Sequence, residues 1–174
     1  MSRNVLLWAR DILIALAIAL IIMQFVKPTI VRENSMMNTL HPDDYIFLSK
    51  QAYRFGDVKR GDIVVFHSDL ESDDGTTKNL IKRVIGIAGD TIAMRDGFVY
   101  VNNVKSDEPY TRDGYTSGDM KEVTVPEGKL FVMGDNRQHS MDSRDPKIGF
   151  VSEDLLIGKA FFRLYPFDGF GTVK

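Results

Sequence analysis

The stretch Thr91-Ile92-Ala93-Met94-Arg95-Asp96-Gly97-Phe98-Val99-Tyr100-Val101 sets Asp-Gly between two short runs rich in apolar residues. Both central positions of a type I′ turn need positive φ, and Asp-Gly accepts that at little cost, so the spacing predicts a tight hairpin over 91–101. Working outward, similar short runs recur at 45–49, 62–66, 80–87, 122–125, 129–133 and 159–164. Each reads as a strand, and together they predict a mainly β domain. Two polar stretches, 67–79 and 106–120, carry Gly, Ser, Asp and Thr without periodicity and read as loops. There is no internal repeat and no low-complexity segment.

Ahead of this region the chain changes character. From Val5 to Val26 it is apolar apart from Arg10-Asp11 and Gln24. As a helix these residues span about 33 Å, enough for the hydrocarbon core of a bilayer. The reading is a tail over 1–4, a membrane-spanning anchor over 5–26 and a domain over 27–174. Arg10 and Asp11 sit within two turns of the start, where charged groups snorkel or pair; at the centre each would cost about 2.5–3.5 kcal/mol. The less interrupted part, 12–25, is shorter and leaves a helix lying in the membrane interface as the alternative. A cleaved leader is disfavoured because Gln24-Phe25-Val26-Lys27-Pro28 has no small-x-small pattern. Arg3 and Arg10 before the span and Lys27 and Arg32 after it give a small asymmetry, leaning to an inside amino terminus.

Composition narrows the function classes. With 174 residues, 44% hydrophobic and 26% charged, the chain can bury a core. A net charge of −2 provides no basic field for nucleic acid, which is excluded as a partner. The absence of cysteine removes a thiol nucleophile, a disulfide framework and any cysteine-ligated metal. No histidine pair has zinc spacing and 68–75 lacks a calcium-loop pattern, so neither a metal nor a cofactor is expected.

Three segments carry residues suited to chemistry. Glu33-Asn34-Ser35-Met36-Met37-Asn38-Thr39-Leu40 follows the anchor, which would hold Ser35 about a turn or two of chain beyond the membrane surface. A serine hydroxyl needs a base, and a lysine serves once burial lowers its affinity for a proton. Lys82 lies within an apolar strand pattern: Leu80, Lys82 and Val84 share one face, while Arg83 points to the other. The competing reading of that segment alone is a lysine at a strand edge reaching water. In the third segment, 134–144, an extended backbone would put Ser140, Asp142 and Arg144 on one side, with Asp142 and Arg144 paired; the alternative is a surface turn. Of the histidines, His41, His67 and His139, only a Ser35–His139–Asp142 triad competes with Ser35 and Lys82, and it ranks below them.

In order along the chain, the anchor, Ser35-Met36-x-x-Thr39-Leu40, Gly61-Asp62-Ile63-Val64, Lys82-Arg83-Val84-Ile85-Gly86 with Gly89-Asp90, and Gly134-Asp135-Asn136-Arg137 with Ser140, Asp142, Ser143 and Arg144 resemble the bacterial type I signal peptidases. These are membrane-anchored proteases that remove signal peptides from exported proteins. The resemblance implies an antiparallel β catalytic domain, with Ser35 as nucleophile and Lys82 as general base. It further implies that Ser140 orients the lysine, that an Asp142–Arg144 pair braces the segment, and that Met36 lies against the substrate cleft. It implies exported preproteins cut after small-x-small motifs, and a bacterial cell-membrane location with the catalytic domain on the extracytoplasmic face. Lysine where the related endoplasmic-reticulum enzymes carry histidine resembles the bacterial branch, and the single anchor and short domain resemble its Gram-positive kind. Two positions depart from the family's pattern: Asn38 stands where proline is usual, and Glu33 where a small or polar residue is usual.

Two other readings compete. One is a catalytically weak relative that holds client segments during assembly of surface proteins, which has no chemical need for both Ser35 and Lys82. The other is a self-cleaving regulator with a β domain, which would need a DNA-binding module where the anchor stands.

Overall fold

In the computed structural model, residues 3–72 and 75–174 are described. The apolar run folds as one helix, α1 (Arg3–Phe25), and passes without a linker into the first strand, β1 (Val26–Ile30). The 22 residues Asn4–Phe25 are long and apolar enough to cross a membrane, and none of that stretch is buried against the rest of the protein. Arg10 and Asp11 pair with each other at 2.8 Å on the exposed surface of α1. The boundaries differ slightly from expectation: Val26 belongs to β1, and Arg3 and Asn4 are already helical, while Met1 and Ser2 of the expected tail lie outside the described residues. Ser35 follows the end of α1 by ten residues, the first five of them in β1.

Among the described residues eleven further strands follow: β2 (Tyr45–Ser49), β3 (Ile63–Glu71), β4 (Thr77–Gly86), β5 (Thr91–Arg95), β6 (Phe98–Val101), β7 (Val104–Lys105), β8 (Met120–Thr124), β9 (Lys129–Met133), β10 (Val151–Ser152), β11 (Leu156–Tyr165) and β12 (Gly171–Thr172). They form two antiparallel sheets, one ordered β1-β2-β11-β3-β4-β9-β10 with β12 added to β11, the other β7-β6-β5-β8. The expected hairpin is present: Asp96 and Gly97 have φ of 54° and 80°, and Arg95 faces Phe98. Pro28 lies on β1, an edge strand, where its missing N–H breaks no interior ladder.

The stretch expected as a loop over 67–79 is mostly hairpin, with β3 running to Glu71 and β4 beginning at Thr77; Asp73 and Asp74 lie outside the described residues. His67, Asp69 and Glu71 face out while Ser68 and Leu70 turn inward, so the period of two is there but carried largely by polar side chains. The loop expected over 106–120 is irregular up to Met120.

Apolar side chains gather into three buried clusters. One joins Val31, Met36, Leu40, Ile46 and Leu48 across β2 to β3; a second joins Val64, Phe66, Leu80, Val84 and Val132; the third ties the two sheets together through Ile85, Ile92, Val99, Phe131 and Met133. Burying such side chains is worth about 1.5–3 kcal/mol each, so the segments flanking them are held firmly.

Candidate active site

Lys82 stands on β4, between β3 and β9, with Val64 as its cross-strand partner. It is 1% exposed, so the edge-lysine reading fails. Its Nζ lies 2.7 Å from Ser35 Oγ and donates to Ile81 O at 3.0 Å. Burial is the main influence on this amine and pulls its pKa down to about 8; Asp142, Glu33 and Asp135 partly counter that, and Arg144 adds to the lowering. The serine is 4% exposed and sits in a single 3₁₀ turn, Asn34–Met36.

Asn136 holds that turn. Its side-chain Nδ2 donates to Asn34 O and its backbone N–H to Ser35 O, both at 3.0 Å. Gly134 makes the close approach possible: a Cβ there would sit 2.3 Å from Ser140 Oγ and 2.4 Å from Ser35 O. Behind it, Asp142 Oδ2 accepts the Gly134 N–H at 2.9 Å, and the Asp142 carboxylate takes two donors from Arg144 at 2.8 and 2.9 Å. The 134–144 segment is therefore not a surface turn, since Asp135, Asn136, Arg137 and Asp142 are all buried. Nor is it extended throughout: the chain turns at Asp142, where Asp145 N–H donates to Asp142 O at 2.8 Å, yet the Asp142–Arg144 pair forms.

A second buried pair lies beneath the turn. Arg83 grips Asp135 through Nε at 2.9 Å and Nη2 at 2.7 Å, stacks 3.9 Å from the Tyr110 ring, and donates to Gly61 O. Thr39 donates its hydroxyl to the same carboxylate. Such a fork-shaped, desolvated pair fixes geometry, and breaking it by removing one partner costs about 3–5 kcal/mol. A third pair joins Arg137 to Glu108 at 2.6 and 2.9 Å. Burial alone would pull the Arg137 guanidinium down, but the bond and charge of Glu108 outweigh it and leave Arg137 raised.

Other expected placements differ. Met36 is fully buried in the core with Val31 and Leu40 and lines neither cavity beside Ser35; its neighbour Met37 faces the opening instead. The reason is the 3₁₀ turn, which directs adjacent side chains to different sides. Ser140 Oγ is buried without a hydrogen-bond partner among the described residues, so its expected bond to Lys82 is not made. Glu33 lies outward, half-exposed and 3.9 Å from Lys78. Asn38 is exposed, and the turn behind Ser35 is closed by Thr39 N–H and Leu40 N–H, both donating to Met36 O at 2.8 Å. All three histidines are exposed, and Asp142 is engaged by Arg144, so no Ser35–His139–Asp142 triad is assembled. Among the described residues no cluster of His, Asp and Glu is placed to hold a metal ion.

Two cavities meet at Arg32-Glu33. One, of about 430 Å³, runs between the end of β1 and the β3–β4 hairpin, with Ile30, Val31, Val65 and Ile81 as its apolar wall. The other opens beside Ser35 itself, bordered by Met37, Arg112, Asn136 and His139.

A serine hydroxyl touching a buried amine of lowered pKa, on an antiparallel β scaffold, has the chemistry of a nucleophile and its base. The chain belongs to the signal peptidase family, peptidase S26, a family of serine proteases whose model matches residues 5–165. It is 40% identical to a signal peptidase I from Bacillus licheniformis, over 92% of this chain and 89% of the relative. Signal peptidase I T of Bacillus subtilis is 38% identical over 99% of this chain and 92% of its own length. A solved signal peptidase I from Enterococcus faecalis overlaps 60% of this chain and 97% of its own with a TM-score of 0.49, at 31% identity. The relationship fits the Gram-positive branch. Signal peptidase I enzymes act on exported preproteins, and the family is membrane-associated.

Proposed function

We propose that this protein is a membrane-bound endopeptidase that removes signal peptides with a Ser35/Lys82 dyad, cutting after small-x-small motifs. The contact of 2.7 Å between a buried lysine amine and the serine hydroxyl carries the reading. With its pKa near 8, a useful fraction of Lys82 is uncharged at neutral pH and can accept the hydroxyl proton. Ser35 Oγ then attacks the scissile carbonyl carbon as Lys82 takes the proton. The oxyanion is held chiefly by the Ser35 backbone N–H. As the tetrahedral intermediate collapses, Lys82 returns the proton to the leaving amine nitrogen, and the signal peptide remains as an ester on Ser35. Lys82 next takes a proton from water, whose oxygen attacks the ester carbonyl; collapse releases the carboxylate product and restores the Ser35 hydroxyl.

Asp142 and Arg144 act as positioning residues, bracing Gly134 and so the approach to Ser35. Ser140, whose buried hydroxyl is unpartnered, is the acceptor available to Lys82 when Ser35 Oγ is esterified. The apolar-walled cavity beside Ile81 suits the small side chains that precede the cut, and α1, whose span is unburied by the rest of the protein, suits a single bilayer span with the domain on the extracytoplasmic face.

The test is cleavage of a preprotein bearing an Ala-x-Ala site by the full chain in lipid or detergent. Cutting at that site, abolished in Ser35→Ala and in Lys82→Ala, is the expected result. A folded protein that binds preproteins without cutting any would instead favour a client-holding role.

A further inference from the structure

Arg137 and the irregular stretch before β8 take no part in the dyad chemistry, yet they are tightly joined. Glu108 of that stretch is clamped by Arg137, which also donates to Thr116 Oγ1 at 2.7 Å and to Gly134 O at 3.0 Å. Four residues beyond Glu108, the Arg112 N–H donates to Asp135 O at 3.1 Å. The polar stretch is therefore fastened at several points to the same segment that positions Ser35. Its effect is to place Arg112 on the wall of the cleft beside Ser35, which adjoins the apolar cavity at Arg32 and Glu33.

The cleft carries two arginines against one carboxylate. Arg112 and Arg32 are exposed and make no side-chain ion pair among the described residues, whereas Glu33, the carboxylate on the same wall, is drawn to Lys78. His139 at the rim is exposed and adds no negative charge. Asn136 also borders this cleft, and its Nδ2 is committed to Asn34 O, so the amide ties the cleft wall to the Ser35 turn.

We propose that this cleft receives the residues immediately after the cut, and that Arg112, assisted by Arg32, favours preproteins whose mature part begins with an acidic residue. The inference rests on the peptidase reading above. If the apolar cavity takes the residues before the scissile bond, the peptide passing over Ser35 enters the other cavity on its leaving side. There Arg112 meets a carboxylate. A pairing at a solvent-exposed rim gives a modest preference that salt weakens.

The experiment uses the full chain in detergent and a series of peptides with one Ala-x-Ala site, carrying Asp, Ser or Lys at the first or second position after the cut. The expected result is a kcat/KM about fivefold higher for Asp than for Lys in the parent. That ratio should fall towards one in Arg112→Gln, invert in Arg112→Glu and shrink at high salt. A flat series in the parent, or a preference that Arg112→Glu leaves in place, would overturn the assignment, as would a charge preference confined to positions before the cut. Failure to cut even the serine peptide would overturn the peptidase reading itself, and this inference with it.

Discussion

Lys82 Nζ and Ser35 Oγ meet at 2.7 Å although 46 residues separate them in the chain, and the amine reaches the hydroxyl from the middle of a sheet rather than from a loop. With β3 and β9 flanking its strand the lysine is 1% exposed, and the lost hydration is what lowers its pKa. The lowered pKa of this amine is thus set by the fold and needs no substrate.

A base with a pKa near 8 gives kcat/KM a rising pH limb with an apparent midpoint near 8. Arg144 contributes to that lowering and Asp142 opposes it, so Arg144→Gln should move the limb to higher pH. A pH–rate profile on a peptide substrate checks both, and a limb centred near 6.5 would point to histidine instead.

Keeping an ammonium buried costs stability. Between pH 8 and 10.5 the folded protein binds fewer protons than the unfolded chain, so parent stability rises through that window, and below pH 8 the full penalty is present. Lys82→Met should therefore stabilise the protein by on the order of 3 kcal/mol at pH 7, with the gain fading as pH approaches 10.5, while activity is lost. Denaturation of parent and variant at pH 7 and pH 10.5 measures it.

Gly134→Ala should reduce cleavage by about a hundredfold or more with the sheet intact, because its Cβ would collide with Ser140 Oγ and Ser35 O. Overpacking of this kind costs about 1–3 kcal/mol of stability. Circular dichroism beside kinetics separates the two effects; unaltered kcat/KM would contradict the close approach described here.

Asn38→Pro should be tolerated and should stabilise by about 0.4–1 kcal/mol. Met37 already has φ −63° and ψ 128°, the extended conformation a residue preceding proline prefers, and the Asn38 N–H makes no backbone hydrogen bond among the described residues. Thermal denaturation reads the change; a lowered Tm would mean the turn cannot accept the proline ring.

Much of this molecule is legible along the chain, and the reasons are local. Asp96-Gly97 forces positive φ whatever surrounds it, α1 is announced by apolar length, and most strands follow from short-range alternation. The polar extension of the β3–β4 hairpin escaped because its inward positions include Ser68, whose hydroxyl donates to Lys78 O at 2.8 Å; a hydrogen bond across a hairpin leaves no hydropathy signal. Met36 escaped because one residue of rotation in a 3₁₀ turn exchanges core for cleft.

By itself the sequence determined the apolar span, the β character and the residue types able to do chemistry, since these depend on neighbours a few positions apart. Only the tertiary structure decided that Lys82 is buried against Ser35, that Arg83 reaches Asp135 and Arg137 reaches Glu108, and that Asn136 clamps the Ser35 turn. Those contacts join residues 29–102 positions apart, and the burial that shifts a pKa or makes an ion pair unbreakable belongs to the packed whole, not to any segment.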